Sequence, residues 1–155
     1  MWELKISNLE ATQALGQALG RVAGDGVRVG LEGDLGAGKT SFAQGVGLGL
    51  GVQEQMASPT FILLAEYDSG RLPLLHGDAY RLERGEAHGI GMGETIEDWP
   101  GLVLLEWADR LPGILGEDCL TVEISHESEG RRMKISAAGP VHQGVLERWK
   151  AAFLE

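Results

Sequence analysis

The sequence predicts an α/β fold. Stretches of strand character alternate with stretches of helical character, and "GDLGAGKT" at 33–40 stands where a predicted strand passes into a predicted helix. A third sign is "LVLLE" at 102–106, an unbroken apolar run of the kind found in a strand buried on both faces.

Trp2, Leu4 and Ile6 alternate with Glu3 and Lys5, the pattern of a half-buried first strand. Ser7 and Glu10 have capping-box spacing, which predicts a helix start there, and Leu9, Thr12, Leu15, Leu19 and Val22 would line one face of that helix. "AGDG" at 23–26 ends it. A strand is expected at 27–32 and a helix over "TSFAQGVGLGL", with Phe42, Ala43 and Val46 inward. Each glycine inside a helix costs about 1 kcal/mol relative to alanine, so Gly45, Gly47, Gly49 and Gly51 predict that this helix ends among them in a frayed cap. Further strands are expected at 61–67, 72–76, 102–106, 120–125 and 131–136. The last segment reads as a helix with Val145, Leu146, Trp149, Ala152 and Phe153 on one face.

Length and composition narrow the function. The 155 residues suit a single domain, 1–155, and 43% hydrophobic with 23% charged residues is ordinary for a soluble chain. A formal charge of -10 argues against direct binding to nucleic acid or anionic membranes, and Arg131, Arg132 and Lys134 form the only basic cluster. Cys119 is the sole cysteine, so neither a disulfide within the chain nor a cysteine metal site is expected. No export signal and no apolar run near the roughly 20 residues of a membrane span is seen, and a cytoplasmic location is expected.

The chemistry is expected at 33–40, which fits glycine, four residues, glycine, lysine and serine or threonine. A shuffled chain of this composition would show the pattern roughly once in a hundred times. Gly33, Gly36 and Gly38 free the backbone to turn successive amides toward an anion, Lys39 would bridge terminal phosphates, and the Thr40 hydroxyl would bind magnesium. Such a site needs an acid at a neighbouring strand end. Glu106 closes the apolar run at 102–106 and has the better claim; Asp78 follows "LPLLHG", where Pro73 argues against an uninterrupted central strand, so Asp78 reads as a loop residue beside the site. His76 and Trp107, each taken alone, read as a satisfied polar residue and a packing residue.

Guanine specificity through an Asn-Lys-x-Asp signature is excluded, because Asn8 is the only asparagine and leucine follows it. A small-molecule kinase would carry an arginine-rich lid, for which Arg71, Arg81 and Arg84 are a thin substitute. A nucleotide-dependent adaptor without useful hydrolysis remains a further alternative.

In order along the chain, "LEGDLGAGKT", "SPTF" at 58–61, Tyr67, "HGDAYRL" at 76–82 and "LLEW" at 104–107 together resemble the bacterial TsaE (formerly YjeE) proteins of tRNA threonylcarbamoyladenosine biosynthesis. The resemblance implies a P-loop NTPase-like three-layer domain with a mixed central sheet. It also implies a magnesium-dependent ATPase that acts on a heterodimer of TsaB- and TsaD-type partners, resetting it for another cycle of modification at adenosine 37 without transferring the group itself. Carried over position by position, Gly33, Gly36, Ala37, Gly38, Lys39, Thr40 and Ser41 would hold ATP, with Thr40, Glu106 and Asp78 around Mg2+. Thr60 matches a switch-like threonine, Thr12 a position on the first helix that approaches the nucleotide, and Arg131 another. Gly77 and Ala79 stand where bulkier apolar residues are usual in the family.

Overall fold

The computed structural model describes residues 1–34, 36–56, 64–80 and 91–154. Seven strands form one mixed sheet: β1 Trp2–Ile6, β2 Arg28–Gly33, β3 Leu64–Tyr67, β4 Leu74–Asp78, β5 Leu102–Glu106, β6 Cys119–Glu127 and β7 Gly130–Ala138. Their order is β1-β7-β6-β2-β5-β4-β3. The four inner strands β6, β2, β5 and β4 run parallel, while β7, β1 and β3 pair antiparallel at the flanks. The helices are α1 Leu9–Val22, α2 Lys39–Leu50, α3 Met92–Asp98 and α4 Pro140–Leu154, with a 3-10 turn at Ala108–Arg110.

The layers follow from side-chain alternation. Val29, Leu31, Leu74, Leu102, Leu104, Val122 and Met133 face a large core closed by α1, α2 and α4. Leu75, Val103 and Leu105 point the other way, into a smaller core with Met92, Ile96 and Leu111. The sheet is thus covered on both faces, as an apolar parallel centre requires.

Four expectations are corrected. Asn8, not Ser7, caps α1: its side chain accepts a hydrogen bond from Ala11 N at 2.8 Å. Leu9 at the start of α1 is 49% exposed and Val22 only half-buried, whereas Thr12, Leu15 and Leu19 are buried. α2 does end among its glycines, at Leu50 with Gly51 as a left-handed cap at φ 82°, but it does not fray over Gly45, Gly47 and Gly49. Gly45 and Gly49 serve close packing instead. A Cβ at Gly45 or Gly49 would overlap the Gln13 or Gln17 carbonyl of α1, and one at Gly16 or Gly20 would overlap the Phe42 or Val46 carbonyl of α2. Backbone meets backbone along this seam, so glycine's helix penalty is offset by a contact that no side chain permits.

The fourth correction concerns Pro73. It lies just before β4, where its missing N–H costs the ladder nothing, and its carbonyl accepts from Leu102 N and Trp99 Nε1 at 2.9 and 3.1 Å. β4 is therefore an inner strand, and Asp78 is its last residue rather than part of a loop.

Two buried polar groups absent from the sequence reading lock the sheet's other end. Arg28 donates to the carbonyls of Gly101, Ile96 and Trp99 at 2.8–2.9 Å, tying β2 to the end of α3. His142 accepts from Arg28 N at 2.9 Å and meets Asp118 Oδ1 at 2.6 Å, and Asp118 also accepts from the amides of Val141 and His142, holding the start of α4.

Candidate functional site

β2 ends at Gly33, whose φ of 135° and close approach to the Ile124 backbone of β6 admit no side chain. The loop then rises through Gly36 and Gly38, at φ 74° and 118°, and Gly38 starts α2 by accepting from Phe42 N at 2.9 Å. The N-terminus of a helix and a set of glycine-freed amides thus lie at the C-terminal edge of a parallel sheet, the arrangement that suits a bound phosphate. Ala37 is fully buried under the loop, and Thr40 and Ser41, half-buried, occupy the first turn of α2.

Lys39 lies over this loop. Its Nζ donates to the carbonyls of Gly33 and Asp34, both at 2.8 Å, and sits 4.0 Å from the ring centre of Trp107. Burial lowers the pKa of its ammonium, and the carboxylates of Glu106, Asp34, Asp78 and Asp109 partly offset that. Trp107 takes φ 59°, ψ 37°, the sole positive φ outside glycine among the described residues, directly after the end of β5. That turn sets its indole against Lys39 on one side and Tyr80, at a ring distance of 4.8 Å, on the other, with Arg110 over Tyr80 in turn.

Asp78 and Glu106 are register partners at the ends of β4 and β5. They are 8% and 3% exposed. Burial raises the pKa of Asp78, a Tyr80 amide at 2.8 Å works against this, and the neighbouring Glu106 pushes it up again. Glu106 meets the ring of His76 across the strands. The structure therefore brings together Lys39, Asp78 and Glu106, which lie far apart in the chain.

Thr12 is fully buried beneath Gly38 and its hydroxyl returns to the Asn8 carbonyl at 3.4 Å, so it underlies the loop. Arg131, on β7, reaches the outer side of the loop and donates to the Ala37 carbonyl at 2.9 Å. Arg71 is engaged elsewhere: it caps the end of α1 by donating to the Gly20 and Ala23 carbonyls, both at 2.7 Å. Thr60, Arg81 and Arg84 lie outside the described residues. Among the described residues, no three His, Cys, Asp or Glu side chains converge to hold a metal by themselves.

A family model described as "Threonylcarbamoyl adenosine biosynthesis protein TsaE" matches residues 6–134. The chain belongs to the TsaE family. It is 42% identical over 135 residues to the tRNA threonylcarbamoyladenosine biosynthesis protein TsaE of Nostoc sp. (strain PCC 7120), covering 85% of this chain and 83% of that one. To the protein of the same name from Bacillus subtilis (strain 168) it is 38% identical over 141 residues, covering 90% and 88%. The crystal structure of Bacillus subtilis YdiB superposes with a TM-score of 0.75 and 30% identity, over 97% of this chain and 94% of that one. The TsaE match spans the glycine-rich loop, both strand-end acids and Arg131.

Three features of the site were not drawn from the residues alone: the left-handed Trp107, the His76–Glu106 pair and the brace from Arg131. His76 and Asp78 share a face of β4, which the expected end of that strand at 76 concealed. The other two depend on long-range placement and left no local signal.

Proposed function

We propose that this chain is a magnesium-dependent ATPase that acts in threonylcarbamoyladenosine biosynthesis upon a partner complex of TsaB and TsaD type, and does not itself transfer the threonylcarbamoyl group. The pairing of Asp78 with Glu106 at adjoining strand ends, beside Lys39, carries the reading. In it the loop amides and Lys39 hold the phosphates. The donors at hand, two carboxylates and the Thr40 hydroxyl, are hard oxygens suited to magnesium. When bound, magnesium supplies electrostatic stabilisation to charge building on the transferred phosphoryl group. Glu106 and Thr40 would hold it, with Asp78 beside them. Asp78, raised in pKa and fixed by the Tyr80 amide, is suited to orient the attacking water, a task that Thr60 would share.

The kinase alternative loses Arg71, which is committed to α1. Contact with tRNA only through the partners fits the charge of -10, and a cytoplasmic setting fits a chain with one cysteine. None of the described helices is long and apolar enough to cross a membrane.

The test is ATP hydrolysis with magnesium, by the protein alone and with purified TsaB- and TsaD-type partners from the same source. Slow turnover that rises with the partners is expected. Turnover indifferent to them, together with a phosphorylated small-molecule acceptor, would replace this reading with the kinase.

A further inference from the structure

His76 lies on β4 two residues after Leu74 and two before Asp78, so its ring shares the sheet face of Leu74, Leu102 and Leu104, within the larger core. Its Nε2 is 2.6 Å from Glu106 Oε2, and the two side chains are 1% and 4% exposed. Its Nδ1 is buried and has no hydrogen-bond partner among the described residues. These facts restrict the ring's state. A doubly protonated ring would bury an N–H with nothing to receive it, and a ring protonated on Nδ1 alone would do the same while setting its Nε2 lone pair against a carboxylate oxygen. A neutral ring with its proton on Nε2 leaves only a lone pair unpartnered and donates to Glu106.

We propose that His76 is a positioning residue for Glu106: a fixed donor that occupies Oε2 and leaves Oε1 to serve the site. A carboxylate at a strand end would otherwise rotate about its terminal bonds, and a packed donor inside the sheet removes that freedom. What Glu106 does for magnesium rests on the function proposed above, whereas the state of the His76 ring does not.

Two measurements test it. In nucleotide-free protein labelled with 15N-histidine, two-bond 15N–1H spectra at pH 8, with His76 assigned by its disappearance in His76→Gln, are expected to show a proton on Nε2 and none on Nδ1. A proton on Nδ1, or a bare Nε2, overturns the proposal. In the second, calorimetric ATP binding is followed across a magnesium titration in wild type, His76→Gln, whose amide can donate from a similar place, and His76→Leu, which has no donor. His76→Leu is expected to need about tenfold more magnesium for half its maximal affinity, with magnesium-free binding unchanged, and His76→Gln to recover most of the loss. A wild-type protein that responds to magnesium beside an equally responsive His76→Leu also overturns it. Should wild-type binding ignore magnesium, the function proposed above fails, and the tautomer spectrum alone decides whether His76 donates to Glu106.

Discussion

Lys39 Nζ rests 4.0 Å from the ring centre of Trp107, and Trp107 reaches that place only by adopting a left-handed backbone. A bulky residue at φ 59° is strained by roughly 1–2 kcal/mol. The usual order of substitutions should therefore invert. Trp107→Gly and Trp107→Ala lose the same ring, but the glycine variant is expected to be about 1 kcal/mol more stable, since only glycine adopts this turn without penalty. Urea denaturation of both variants checks this, and an alanine variant as stable as the glycine one would count against strain at Trp107.

Glu106→Gln keeps the shape of the side chain and the register of β5 while removing a charge from the strand-end pair. Under the proposed function, magnesium-dependent ATP affinity should fall at least tenfold, and more than in Pro73→Ala, because Pro73 only precedes its strand. Asp78→Asn should instead slow hydrolysis while leaving affinity within about threefold. A magnesium titration of binding, set beside single-turnover hydrolysis, separates the two roles, and identical profiles for Glu106→Gln and wild type would remove Glu106 from the metal site.

Gly45→Ala would ordinarily stabilise a helix by about 1 kcal/mol. Here the added methyl overlaps the Gln13 carbonyl, backbone that cannot rotate away, so a net loss of about 1–3 kcal/mol is expected. Gly93→Ala in α3, where the space is open, is the control and should be neutral or stabilising. Thermal melts of the pair make the comparison.

Asp118 provides a pH signature. Partial burial alone would raise its pKa, but hydrogen bonds from the His142 amide and ring and the Val141 amide outweigh it and hold the carboxyl below its usual range. A depressed folded pKa means stability present above the unfolded value of about 3.9 and lost as pH falls through the folded one. Wild type should thus exceed Asp118→Asn in stability at pH 6–7, and the gap should close as pH drops from about 4 toward 2. Chemical denaturation across that range reads it out, and a gap that persists unchanged at pH 2 would discount the ionised carboxylate.

What could be read from the chain divides by range. The glycine-rich loop between β2 and α2 and the strand-end place of Glu106 were legible because their signals are local: a fixed spacing of glycines and lysine, and an apolar run ending in an acid. Asp78 was misplaced because Pro73 reads as a strand breaker, yet β4 begins one residue later, where no N–H is needed. The fraying expected of α2 fails at Gly45 and Gly49 because a helix sequence does not reveal what its glycines face, and these two face another helix's backbone. Arg131 reaches the loop from 94 residues away and His76 meets Glu106 across 30, distances at which periodicity is silent.

The seam between α1 and α2 has a mechanical consequence. Where side chains interdigitate, helices slide by changing rotamers, but this seam has few rotamers to change, and a shift along it would drive carbonyls into α-carbons. The first helix and the phosphate-loop helix should therefore travel as one lever. Any displacement that nucleotide imposes at Gly38 would reappear at Arg21, where the Arg71 clamp meets the far end of α1. Spin labels at Gln17 and Leu48 would then keep a constant separation with and without ATP, while the distance from either to a label on β3 would report the swing.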